Sequence, residues 1–310
     1  MFFLLCTILG LGTSLLEVET TYIIDYLETP SHHLFLDSFE ALVAVHKEDG
    51  TTKTYPLKGQ GPAELTVPLS LVSTPEGPVV SGLHYMLLIK ESPYGLSFEK
   101  TKLPAVGPLV YSDGHRSILG TAANLWQQES GSWQGYSGLE IRKDSQKLLF
   151  PFQNPVGQRH PRAFAAIAVS GNLYLFGEPV TMDVHLYSHD QTLTLPVPWD
   201  CIRRYDGQQP ETFKDPMAFV NSWGRFAANG AYLLETDSAV WAMVTFDTAH
   251  CEDSNGISVI WQLAKNGLAV VLRKTITWHT NERPIGIKLQ DGLRVLVAVE
   301  GPDITRIMMH

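Results

Sequence analysis

The sequence predicts an all-β protein, an antiparallel β-sandwich with long loops, and three observations carry that expectation. Seven Asn-Gly or Asp-Gly pairs punctuate the chain, at Asp49, Asp113, Asp206, Asn229, Asn255, Asn266 and Asp291. Several of them separate short runs rich in Val, Ile, Leu, Thr and aromatic residues, and proline gathers in the stretches between such runs. A two-residue hairpin turn needs φ > 0, which Gly adopts freely and Asn or Asp tolerate; proline cannot donate to a strand ladder.

Taken in order, the chain opens with an uncharged apolar run, Phe2 to Leu16. It suits either a signal peptide or an extension that packs under its own domain or a neighbouring subunit; a membrane span would need about 20 residues. Residues 18–48 mix a possible short helix with strand-like text. From Thr51 to Lys90 runs of strand length flank a Pro75 to Pro78 turn. Residues 92–138, dense in Pro, Gly and Ser, read as long loops with a helical turn at Leu119 to Gln128. Strand-like text returns at LEIRKDSQKLLFPF and AFAAIAVSGNLYLF. Val184 to Leu195 then reads as two strands about a His189-Asp190 turn, by alternation of side chains. Five further strand-like runs follow Trp223, and Lys265 to Leu268 is the clearest local hairpin turn. No repeat of 20 to 50 residues is visible, which argues against a propeller or solenoid.

The 310 residues, 44% hydrophobic and 18% charged, describe a chain that folds, arranged as an apolar then acidic extension over 1–46 and one β-sandwich domain over 47–310. The net charge of −9 is uneven: Glu17, Glu19, Asp25, Glu28, Asp37 and Glu40 all precede the first basic side chain, Lys47. A basic nucleic-acid-binding arm is therefore excluded, because phosphate affinity comes from Lys and Arg. Cys6, Cys201 and Cys251 are too few for a disulfide framework or a four-cysteine zinc site, although Cys201 and Cys251 could pair.

Candidate chemistry is sparse. His185 and His189, followed by Asp190, would share one face of a helix, but on a strand they stand roughly 13 Å apart, too far for one ion unless a turn intervenes. The remaining histidines are dispersed, Gly10 to Gly12 has no helix behind it, and His250 with Cys251, Glu252 and Asp253 reads as a charged turn. No catalytic, cofactor-binding or metal-ligating residue is assigned, and no enzymatic activity is expected. Of seven tryptophans, Trp241, Trp261 and Trp278 lie in strand-like text and are expected in the core; Trp126, Trp133, Trp199 and Trp223 lie in or beside loops.

The order of three segments resembles the major capsid proteins of picorna-like viruses: Trp-Gln-Gly-Tyr-Ser-Gly at Trp133 to Gly138, Pro-Phe-Gln-Asn-Pro at Pro151 to Pro155, and Met182 to Trp199 ending in Val197-Pro198-Trp199. Gln134 stands where that family usually has Arg before the Gly. The resemblance implies an eight-stranded jelly roll and a structural protein that self-assembles into an icosahedral shell. Its partners would be other capsid subunits and a host receptor, and its location the virion, assembled in host cytoplasm. The alternative is a secreted β-sandwich binding module, carbohydrate-binding, with Phe2 to Leu16 as its signal. A third reading places a metal at His185 and His189.

Overall fold

The computed structural model describes residues 14–20, 22–37, 40–92, 95–127, 133–154, 166–178, 183–188, 191–199, 228–246, 256–266, 268–279, 281–290, 292–301 and 304–310. Every regular element among them is a β-strand. After β1 (Ser14–Val18), the chain builds a four-stranded antiparallel sheet from β2 (Ile23–Glu28), β3 (His32–Asp37), β4 (Ala41–His46) and β5 (Thr52–Pro56). A second follows from β6 (Ser70–Thr74), β7 (Gly77–Ser81), β8 (Tyr85–Ser92) and β9 (Gly95–Lys102). The third holds β10 (Leu109–Ser112), β11 (Arg116–Gln127), β12 (Trp133–Arg142) and β13 (Ser145–Asn154). The fourth holds β14 (Ala166–Ser170), β15 (Leu173–Gly177), β16 (Val184–Tyr187) and β17 (Thr192–Leu195). The fifth holds β18 (Ala228–Glu235), β19 (Ala239–Phe246), β20 (Gly256–Ala264) and β21 (Val270–Trp278). In the last, β22 (Glu282–Leu289), β23 (Leu293–Glu300) and β24 (Thr305–Met309) are joined by β1, which pairs antiparallel with β24.

The first strands β2, β6, β10, β14, β18 and β22 lie side by side in that order, and β22 returns to β2. Six such sheets around one axis make a six-bladed β-propeller, an architecture that leaves only short, protected sheet edges. Polar contacts tie neighbouring blades near the axis: Asp25 accepts the Leu71 N–H at 2.7 Å, and the Tyr232 hydroxyl donates to the Pro284 carbonyl at 3.1 Å. Blade 6 is closed by the Thr305 hydroxyl, which donates to the Thr20 carbonyl at 2.6 Å, and by an Arg306–Glu17 pair at 3.0 Å.

The sandwich and jelly-roll expectation is therefore corrected: there are six small sheets set face to face in a ring, not two large sheets enclosing one core. The virus-shell role fails with it. Trp133 to Gly138 lies within β12, hydrogen-bonded between β11 and β13 as an interior strand of one blade. The expected long loops of 92–138 hold β9, β10, β11 and the start of β12, and the expected helical turn at Leu119 to Gln128 falls on β11 as far as Gln127, Gln128 lying outside the described residues. Residues Ser14 to His46 supply β1 and three strands of the first blade. The repeat escaped detection because it is irregular: first strands begin at residues 23, 70, 109, 166, 228 and 282, between 39 and 62 residues apart.

The turn reading fared better. Asp49-Gly50 and Asp113-Gly114 connect paired strands, with Gly50 and Gly114 at positive φ, as is Gly292 between β22 and β23; Gly267 and Asp291 lie outside the described residues. Asn229-Gly230 lies instead inside β18, at a register shift. Trp261 and Trp278 are buried and Trp241 is half-buried, while Trp223, the three cysteines and the side chains of Trp126 and Trp133 lie outside the described residues.

Candidate functional site

Side chains of adjacent residues on a strand point to opposite faces, so each blade offers one face to the preceding blade and one to the next. Five of the six seams are filled by clusters of buried, mainly aliphatic side chains. Leu34 and Leu42 meet Val80 and Leu87 between blades 1 and 2; Val72 and Leu103 meet Leu119 and Leu139 between blades 2 and 3. Leu175 and Leu186 meet Val259 and Trp261 between blades 4 and 5, with comparable clusters joining blade 6 to blades 5 and 1. The seam between blades 3 and 4 has no such cluster among the described residues. It holds aromatic rings, a buried charge network and a cleft of about 620 Å³.

Period-2 alternation places Arg116 on β11, and Glu140 and Arg142 on β12, on the face toward blade 4, opposite Leu119, Leu139 and Ile141. Arg116 and Glu140 are buried. Arg116 Nη1 donates to the Tyr174 hydroxyl at 2.5 Å, its Nη2 to the Gly171 carbonyl, and its Nε to Asp113 at 3.1 Å. The Tyr174 hydroxyl donates in turn to Glu140 Oε2 at 2.8 Å, and Arg142 Nε donates to Glu140 Oε1 at 2.6 Å. Burial pushes the Glu140 carboxyl up, but hydrogen bonds from Arg142 and Tyr174 and the charges of Arg142 and Arg116 outweigh it and hold it below its ordinary value. Burial, then the bond to Glu140, pushes the Tyr174 phenol up to about 12, so it stays a neutral donor.

The aromatic wall depends on one backbone departure. Phe150 on β13 has the parity of Leu148, which faces blade 2, yet its φ of 57° swings the ring to the other side of the blade. There it lies over Gly138, where a Cβ would stand 2.9 Å from Phe150 Cδ2, and against Phe176 and Tyr187 of blade 4. A bulky residue at positive φ is rare and persists only where its surroundings over-determine it.

The cleft opens where the turns β10–β11, β12–β13, β14–β15 and β16–β17 emerge, as its lining by Arg116, Arg142, Ser145, Asn172 and Ser188 shows. Arg116, Arg142 and Lys147 face Glu140 alone among the acidic side chains that line it. Arg142 is 58% exposed at its side chain and Lys147 is exposed, so both present charge to solvent.

At the opposite end of blade 4, where β15 runs toward β16, the side chains of Glu178, Asp183 and His185 bring ligand-capable atoms within 4.8 Å of one another. Sequence reasoning singled out His185, but with His189 and Asp190, which lie outside the described residues. It missed Glu178 and Asp183, and all of the cleft residues. The signal for the first pair was a hairpin: with Phe176 opposite His185, Glu178 and Asp183 fall on the same face. His32 is buried beside Glu91 of blade 2, across the blade 1–blade 2 seam, and the His33 ring hydrogen-bonds with the Tyr26 hydroxyl within blade 1. His250, Cys251 and the Gly10 to Gly12 segment lie outside the described residues.

No protein-family model matches the chain, and no curated protein does either. Solved structures do resemble it. A Bacteroides fragilis protein inferred to be exported superposes with a TM-score of 0.51 at 10% identity, over 91% of this chain and 80% of that one. A glucose dehydrogenase superposes with a TM-score of 0.50 at 13% identity, over 96% and 98%. The β-propeller domain of Cps50 (Swd1) from Myceliophteria thermophila reaches 0.48 at 10% identity, over 96% and 98%. At such identities the likeness concerns the fold alone, and nothing in it supports a viral shell protein.

Proposed function

We propose that this propeller is a binding module whose blade 3–blade 4 cleft takes an anionic ligand with a flat apolar portion. The observation that carries the reading is the exchange at this seam of an aliphatic core for a cleft. Its volume of about 620 Å³ falls within the roughly 300–1,000 Å³ of ligand pockets. Arg142 and Lys147 stand at the mouth as charge for the anion, and Phe150, Tyr174 and Tyr187 supply ring surface for stacking. Arg116 and Glu140 are committed to each other's network and serve as its frame. A chain of net charge −9 that gathers three cations around one cleft concentrates attraction where the rest of its surface repels.

The test is calorimetric titration with phenyl phosphate and benzoate, against the uncharged phenol as control. Saturable binding of the anions, weakened about tenfold or more in Arg142→Gln/Lys147→Gln, is expected. Equal binding of phenol, or no saturation by either anion at millimolar concentration, would sink the reading. Export belongs to the same proposal. Its support is the apolar run that begins at Phe2, removable by cleavage ahead of β1 without unsealing blade 6, and an uncleaved amino terminus on protein recovered from the producing organism would count against it.

A further inference from the structure

We propose that Glu178, Asp183 and His185 form a binding site for a divalent transition-metal ion, independent of the cleft proposal. The placement follows from strand geometry. Phe176 pairs with His185 and Gly177 with Val184, and the Glu178 N–H continues the ladder by donating to the Asp183 carbonyl at 2.8 Å. Counting alternate residues outward from the Phe176–His185 pair puts Glu178 and Asp183 on the same face of the blade as the imidazole. Val184 and Leu186, on the other face, are fully buried in the blade 4–blade 5 core and fix the strand's orientation. The three donor groups are therefore held on two hydrogen-bonded strands rather than scattered over a surface.

Two features make this a ligand set rather than a patch of charge. First, the donors are mixed, two carboxylates and an imidazole, and together they neutralise a dication; all three ligand atoms lie within 4.8 Å of one another, so small side-chain rotations bring them to one ion at about 2.0–2.2 Å per bond. Secondly, the His185 ring is oriented from outside the cluster. Thr194, its cross-strand partner on β17, places its hydroxyl 3.1 Å from Nδ1. That contact sets the ring plane from outside the cluster, as outer-shell hydroxyls and carbonyls do for metal-binding histidines. Each residue is half-buried, which leaves the ion an entry path and room for water or a further ligand. An imidazole among the donors favours Zn²⁺ or Mn²⁺ over Ca²⁺, which selects all-oxygen shells of six to eight ligands.

The experiment uses the full chain, stripped with a chelator and dialysed, then titrated with Zn²⁺ and separately with Mn²⁺ and Ca²⁺. About one Zn²⁺ per chain is expected. Asp183→Asn and His185→Gln should each weaken it tenfold or more, and Thr194→Val by about tenfold through loss of ring positioning. Metal-free melting temperatures of the variants, matching that of the metal-free parent, separate lost ligands from lost fold. The proposal is overturned if the parent chain shows no saturable Zn²⁺ or Mn²⁺ binding, if binding survives both ligand substitutions, or if Ca²⁺ displaces Zn²⁺.

Discussion

Phe150 of blade 3 stacks on Phe176 of blade 4, ring centroids 4.5 Å apart and planes 10° from parallel, across the seam that holds the cleft. The pair does there what leucines and valines do at the other seams, and it depends on a residue with no side chain. Gly138 lies under the Phe150 ring, so Gly138→Ala forces the ring off Phe176 and should cost about 1–3 kcal/mol, as over-packing does. Denaturant unfolding of the variant checks the figure. Phe150→Gly would relieve the φ of 57° but lose the stack, and should also lower the melting temperature.

Glu140 is the hub of the buried network, bonded to Arg142 and Tyr174 and 3.8 Å from the Arg116 guanidinium. Glu140→Ala strands a buried arginine that keeps only Asp113 as counter-charge, and a loss of about 3 kcal/mol is expected from equilibrium unfolding. Replacing both partners, Arg116→Met with Glu140→Leu, should recover most of that loss, because no charge is then left uncompensated.

Glu28 links blade 1 to blade 6 by accepting from Lys47 at 2.8 Å and Lys288 at 2.6 Å. Partial burial pushes its carboxyl up, but the two lysines prevail and hold it at about 2, against an ordinary 4.5. A depressed folded-state value means the unfolded chain takes up the proton first. The stability this group contributes is present above pH 4.5 and is lost as the pH falls toward 2. Glu28→Gln should therefore shrink the stability difference between pH 6 and pH 3; an unchanged difference would show that the lysine pair contributes nothing.

Trp261 is fully buried between blades 4 and 5 and donates its indole N–H to the Pro196 carbonyl at 3.0 Å. Trp261→Ala should cost about 3–5 kcal/mol through the cavity it leaves. Trp261→Phe keeps much of the volume but leaves the Pro196 carbonyl without its donor, for about 1–3 kcal/mol. The two variants compared by thermal unfolding separate packing from hydrogen bonding.

What the sequence disclosed was local. Asp49-Gly50 and Asp113-Gly114 announced hairpins because φ > 0 is a property of one or two residues, and the alternation of Val184 with Leu186 announced a buried strand face. The number of sheets was not local. A blade and half a sandwich contain the same hairpins, and the choice between them rests on which face of β12 meets β15 or β7, a relation between residues far apart in the chain. The cleft was hidden for a similar reason. Glu140 reads as an ordinary strand acid until Arg116 and Tyr174, from other turns of the chain, are brought to it, and Phe150 reads as a blade 2 core residue until its backbone inverts. His185 drew notice by its spacing to His189, when its neighbours on the blade are carboxylates across the hairpin.

The pairing of β1 with β24 gives the protein a particular birth order. Ser14 meets Met308 and Val18 meets Thr305, so β1, made before the other described strands, waits for β24, made after them. Closing so long a loop is the slowest kind of contact to make, and until it forms, blade 6 presents an open ladder edge to any chain nearby. Blades 1 to 5 carry no such debt to distant sequence and can assemble as they emerge. The final step of folding is thus the sealing of the ring, and a synthesis that stalls before Thr305 releases a molecule with a ready template for aggregation.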